Sequence, residues 1–206
     1  MSKFNLLDNA YASMDAFFTA SPLIFLLFIP AISMRTFSEE YNTGAIETLI
    51  TKPIAPYHIV IGKFLAILTL VVLSLLPTFL YIITMYFIGE TEGNLDLAGI
   101  AGSYIGLFML SSIFASIGVF ASSLSNNQII AFILGIIISA IFYFGFELLS
   151  KIPILQPINF LLQEMGISYH YNIMSKGLLK LSDIVYFISV SLIFIKLSEL
   201  VIVNKK

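Results

Sequence analysis

Long stretches without a charged side chain alternate with short polar breaks along this chain, and the alternation predicts its elements. Ala16 to Met34 is uncharged and mostly apolar, and Phe64 to Gly89 is a second such run. Leu97 to Phe146 carries no charge at all. It is too long for one helix, since about 20 residues at about 1.5 Å each cross a bilayer core. The polar cluster Ser122-Ser123-Leu124-Ser125-Asn126-Asn127-Gln128 divides it in two. A last run extends from about Leu181 to Val203 and carries Lys196 and Glu199, three apart, on one helix face where they can pair. The pattern predicts an all-α polytopic membrane protein with about five transmembrane helices, near residues 16–34, 64–89, 97–121, 129–149 and 181–203, forming a single domain over 1–206.

Between the runs lie two long polar segments. Residues 35–63 read RTFSEEYNTGAIETLITKPIAPYHIVIGK. Within them Gly44 to Thr51 fits a short amphipathic helix, with Ile46, Leu49 and Ile50 on one face and Glu47 elsewhere. Lys52-Pro53 ends it, because the residue before a proline is pushed out of the α region. Such a helix, held between two spans, is either a mechanical handle for a soluble partner or an interfacial loop resting on headgroups. Residues 150–182 form a long connection in which Ile158 to Met165 fits either a short interfacial or re-entrant helix or a surface loop.

Five spans place the two chain ends on opposite sides. With 35–63 inside, Arg35, Lys52, Lys63, Lys196, Lys205 and Lys206 are inside, against Lys3, Lys151, Lys176 and Lys180 outside. This modest bias follows the positive-inside rule. The turn Glu90 to Asp96 has three acids and no base and goes outside with the N-terminus. Lys63 then closes the inner end of the second span.

Composition narrows the function. The chain is 59% hydrophobic and 11% charged, where soluble domains average about 25% charged, so lipid must solvate it. Its net charge is −2 with no basic block, which argues against nucleic acid as a partner. Cysteine is absent, and the two histidines, His58 and His170, lie far apart with no evident partners for a metal site. No G-x-x-x-x-G-K-[ST], G-x-S-x-G or H-E-x-x-H occurs. The predicted span centres hold no ionisable residue of the kind that couples transport to protons or sodium. Energy for any transport would come from outside the chain.

The pattern Arg35, Phe37, Glu39-Glu40, Gly44, Glu47, Leu49, Thr51, Pro53 and Gly62-Lys63 resembles the first cytoplasmic loop of ABC-2 type permeases. Longer strings add to this, among them Gly93-Asn94-Leu95-Asp96, Ile117 to Gln128 and Phe142 to Glu147. With them the chain is similar to the permease subunits of gliding-motility-associated ABC transporters. The resemblance implies a coupling helix in 35–63 that docks on a separate ATP-binding subunit, with contacts at Glu39, Glu40, Gly44 and Glu47, with Leu49 and Pro53 shaping them, and with Arg35 and Lys63 at the two ends of the loop. It implies a second permease-type subunit, a cytoplasmic-membrane location, no cofactor of the chain's own (ATP is held by the partner) and no catalytic activity of its own. It also implies six spans. This sequence starts in what would be the outer loop after the first of them, which leaves a misplaced start, a truncation and a loss open. A non-transporting membrane scaffold of a motility or secretion complex shares these features, and ATP-stimulated substrate movement separates the two.

Small residues indicate how the helices pack. Gly102 and Gly106 form G-x-x-x-G, and Ala131, Gly135 and Ser139 continue a small-x-x-x-small line. Packing inside one subunit is the expected use, ahead of a dimer seam. Glu147, near the end of an apolar run, is expected at the interface rather than at mid-depth.

Overall fold

The computed structural model describes residues 14–51, 53–88 and 96–205. Among these residues every regular element is helical, and five helical runs are long and apolar enough to cross a membrane. The protein is a multi-pass membrane protein with five spans among the described residues. Lys52 and most of the acidic turn before Asp96 lie outside the described residues.

The first run comprises α1 (Asp15–Ser33) and α2 (Arg35–Thr43), interrupted only at Met34. At 29 residues it is about 43 Å long, well beyond a hydrocarbon core of about 30 Å, so α2 projects from the bilayer. Here the structure corrects the expectation of a loop from residue 35. The charges of 35–43 end the membrane span but not the helix, because outside lipid Glu39 and Glu40 are ordinary helix residues. A short helix α3 (Ala45–Ile50) follows.

The second run starts at Pro56, eight residues before the charge-free stretch at Phe64. Proline suits the first helical turn, where its missing N–H costs nothing. It comprises α4 (Pro56–Leu75), a 3-10 turn around Pro77, and α5 (Phe79–Ile88). Next come α6 (Leu97–Leu124) and α7 (Gln128–Ala140), the latter continued by a π-helical turn at 141–145 and by α8 (Phe146–Ser150). The polar cluster separates α6 from α7 for a local reason. Asn127 Oδ1 accepts the Ile129 N–H at 2.8 Å, and Ser125 Oγ accepts the Asn127 N–H at 3.0 Å, forming an N-cap.

The segment 150–182 is not an open loop. It holds a 3-10 turn, α9 (Asn159–Met165) and α10 (Ile167–Met174) before the last span, α11 (Leu181–Asn204). Ile167, Tyr171 and Met174 repeat at helical spacing and are fully buried, which is why α10 forms.

The bundle is built around α6. Of its most apolar 18 residues 78% are buried, against 22–44% in the other four runs. Small residues make this possible, since lipid gives apolar side chains no reason to cluster and close backbone approach must hold the helices together. Gly102 and Gly106 face Gly177 and Met174, so closely that a methyl group at Gly102 would sit 2.8 Å from the Gly177 Cα. Gly118, which no sequence pattern singled out, receives Ser33 of α1, and a methyl group there would meet the Ser33 Cβ at 2.7 Å. Gly135 packs on Pro30, between Ala131 and the fully buried Ser139. These contacts of both small-residue lines lie within the subunit.

Candidate functional site

One end of the bundle gathers the start of α2, the start of α4, the end of α6 and the end of α11. The centre of this cluster is Ser122. Its hydroxyl accepts the N–H of Phe37 at 2.9 Å and of Ser38 at 3.1 Å, and donates to the Met34 carbonyl at 2.9 Å. The opening N–H groups of a helix lack carbonyl partners within it, and a serine commonly caps them from the preceding residue. Here the serine comes from a different span, 85 positions away in sequence from Phe37. Phe37, Ser38 and Ser122 are all fully buried, so the start of α2 is fixed to the end of α6.

Two lysines hold the next turn. Lys63, in α4, pairs with Glu40 at 2.5 Å and donates to the Thr36 carbonyl, with its ammonium 4.4 Å from the centre of the Phe37 ring. Lys205, just past α11, lies 4.1 Å from the centre of the Tyr41 ring. It also donates to the Ser123 and Leu124 carbonyls at 2.9 and 3.2 Å, satisfying carbonyls at the α6 C-terminus where the helix dipole favours a cation. Burial pushes the Lys205 ammonium down from its ordinary pKa. Phe37 and Tyr41 are four apart on one face of α2, so cations from two different spans meet one aromatic stripe. Each such contact is worth about 0.5–2 kcal/mol, more as water is excluded.

Beyond this anchored turn the chain projects. Gly44 has φ 73°, a left-handed conformation costly for a side-chain-bearing residue, and it ends α2 and opens α3. Space around it is open, so its conformation rather than close packing calls for glycine. Ile46 is buried beneath α3, and Glu47 is exposed on its other side. A cavity of about 570 Å³ lies under α3, lined by Tyr41, Gly44, Ile46, Glu47, Asn126 and Lys205 among others.

The residues singled out from sequence therefore separate into two groups. Arg35, Glu39, Gly44, Glu47 and Pro53 are exposed. Glu40 and Lys63 face each other across the base of the arm and hold it. The side chain of Leu49 lies outside the described residues. Sequence reasoning missed Ser122 and Lys205. Both stand in visible signals, a polar cluster between spans and a terminal Lys-Lys, but neither signal names its partner.

A scan of protein families matches residues 3–203 to the ABC-2 family transporter protein model. The chain belongs to that family. No curated protein and no solved structure matches it significantly. As an ABC-2 family protein the chain is a polytopic membrane protein of a transport-related family. Among the described residues no group of three or more His, Asp or Glu is placed to hold a metal ion.

A second buried polar cluster lies at the opposite end of the bundle. His170 of α10 contacts Asp183 of α11 through Nδ1 at 2.7 Å and the Glu164 carbonyl through Nε2 at 2.7 Å. Its ring stacks on Tyr186 with centroids 4.0 Å apart. The sequence offered His170 no partner; the folding of α9 and α10 against α11 supplies it. Glu147 lies at this end too, half-exposed and paired with Lys151 at 2.7 Å.

Proposed function

We propose that the chain is the permease subunit of an ABC transporter in the cytoplasmic membrane, and that α2, Gly44 and α3 form the arm on which a separate ATP-binding subunit acts. Two permease-type subunits, identical or different, enclose the pathway. The observation that carries this reading is mechanical. The arm continues the first span without a flexible break, and Ser122, Lys63 and Lys205 tie its base to three other spans. A push on α3 is therefore delivered to α1, α4, α6 and α11 together, as a transition between two packed states requires. Glu39, Gly44 and Glu47 face solvent and make the contact, while Glu40 anchors the arm. The similarity to gliding-motility permeases supports motility as the process served.

Tagged protein extracted in mild detergent from its native host, with co-purifying proteins identified, tests the reading. An ATP-binding subunit is expected with the parent and lost with Glu47→Arg, which reverses an exposed charge without touching the buried base of the arm. Absence of an ATPase from the parent preparation would favour the scaffold role instead.

A further inference from the structure

At the end of the bundle opposite the arm, α8, α9 and α10 enclose a cavity of about 220 Å³. Every residue lining it carries a hydrogen-bonding side chain: Glu147, Ser150, Lys151, Gln163, Ser168, Tyr169 and Asn172. Seven such residues together are conspicuous in a chain with 11% charged residues. Among the described residues, the side chains of Gln163, Ser168, Tyr169 and Asn172 make no hydrogen bond. Glu147 and Lys151 bond only to each other, at 2.7 Å, through exposed side chains. An exposed ion pair one turn apart is weak, so both charges are free to exchange partners.

The surroundings of the cavity are the reverse. The same two helices, α8 and α9, expose Leu148, Phe160 and Leu161, each more than 60% accessible. A polar hollow beside exposed apolar side chains, at the end of a membrane span, matches a molecule with a polar head and apolar chains. Its volume lies below the roughly 300–1,000 Å³ typical of pockets for drug-sized ligands, which fits a small headgroup. Charge narrows the class. An anionic headgroup would meet Glu147, and a purely cationic one would meet Lys151. A zwitterion satisfies both, with its ammonium on Glu147, its phosphate on Lys151, and hydroxyl and amide donors around the phosphate.

We infer that this cavity is a binding site for the headgroup of a zwitterionic phospholipid of the phosphoethanolamine class, with the acyl chains lying along Leu148, Phe160 and Leu161. The site is remote from the arm and does not depend on the ATPase reading.

Native mass spectrometry of the full chain tests it, after exchange into detergent carrying equal amounts of phosphatidylethanolamine and phosphatidylglycerol with matched chains. Retention of phosphatidylethanolamine at least about fivefold above phosphatidylglycerol is expected. That preference should vanish in Glu147→Gln/Lys151→Gln. Asn172→Leu, which fills the hollow from an exposed position and keeps both charges, should abolish it too, and it carries the test if the double variant misfolds. Soluble glycerophosphoethanolamine should compete only in large excess. Equal retention of the two lipids, or a preference that survives in a folded variant, overturns the proposal. So does a soluble headgroup that binds as tightly as the lipid, which would make the occupant a water-soluble phosphoethanolamine compound.

Discussion

Replacing Ser122 by alanine removes one oxygen atom and, with it, the three hydrogen bonds that fix the start of α2 to α6. A neutral hydrogen bond contributes a net of about 1 kcal/mol, and a buried partner left unpaired costs about 1–3 kcal/mol. The three bonds share one hydroxyl, so their losses do not simply add. A cost of about 2–3 kcal/mol against opening of α2 is expected. At about 1.4 kcal/mol per tenfold, amide hydrogens of residues 35–43 should exchange roughly 30- to 140-fold faster in detergent or nanodiscs, while those of α1 and α11 keep their protection. Ser116→Ala is the control. Ser116 is equally buried on the same helix, but its hydroxyl bonds only to its own helix, at Ile113. It should leave α2 unchanged. Unaltered exchange over 35–43 in Ser122→Ala, or an equal effect of Ser116→Ala, would refute the account of Ser122 as the anchor.

Two further substitutions probe conformation and buried charge. Gly44→Ala should weaken the arm by about 1 kcal/mol, because φ 73° is strained for alanine although nothing obstructs its methyl group; Gly44→Asn should cost less, and limited proteolysis between α2 and α3 reports the difference. His170→Ala leaves the buried Asp183 carboxyl group without its hydrogen-bond partner and should lower stability by about 1–3 kcal/mol, read as a fall in the detergent unfolding midpoint. Adding Asp183→Asn should recover part of that loss, and a double variant no more stable than His170→Ala would show that the charge is not its source.

Much of the architecture was legible in one sequence. Charge-free runs mark spans because a charge inside lipid is expensive, and that penalty is local to each residue. The break near Asn127 and the short helix after Gly44 were equally legible, because caps and breakers act through the residues that form them. So was the Lys196–Glu199 pair, 2.7 Å apart and separated by one helical turn. The helical state of 35–43 was less so, since polar residues outside lipid suit helix and loop alike. α10 left a readable trace in Ile167, Tyr171 and Met174, but its surface of contact with α6 did not.

The sequence by itself determined the five spans found among the described residues and a polar segment at 35–63 with a short helix following Gly44. Hydropathy, charge and backbone preference act residue by residue. Only the tertiary structure decided that Glu40 faces inward to Lys63, that Ser122 caps a helix 85 positions away, that Lys205 clasps the α6 terminus, and that His170 finds Asp183. Each of these depends on which helix ends meet in space, and close approach at Gly102, Gly106, Gly118 and Gly135 sets that meeting. A hydroxyl or an ammonium has the same local sequence signature whether it bonds to its own turn, to another span or to water.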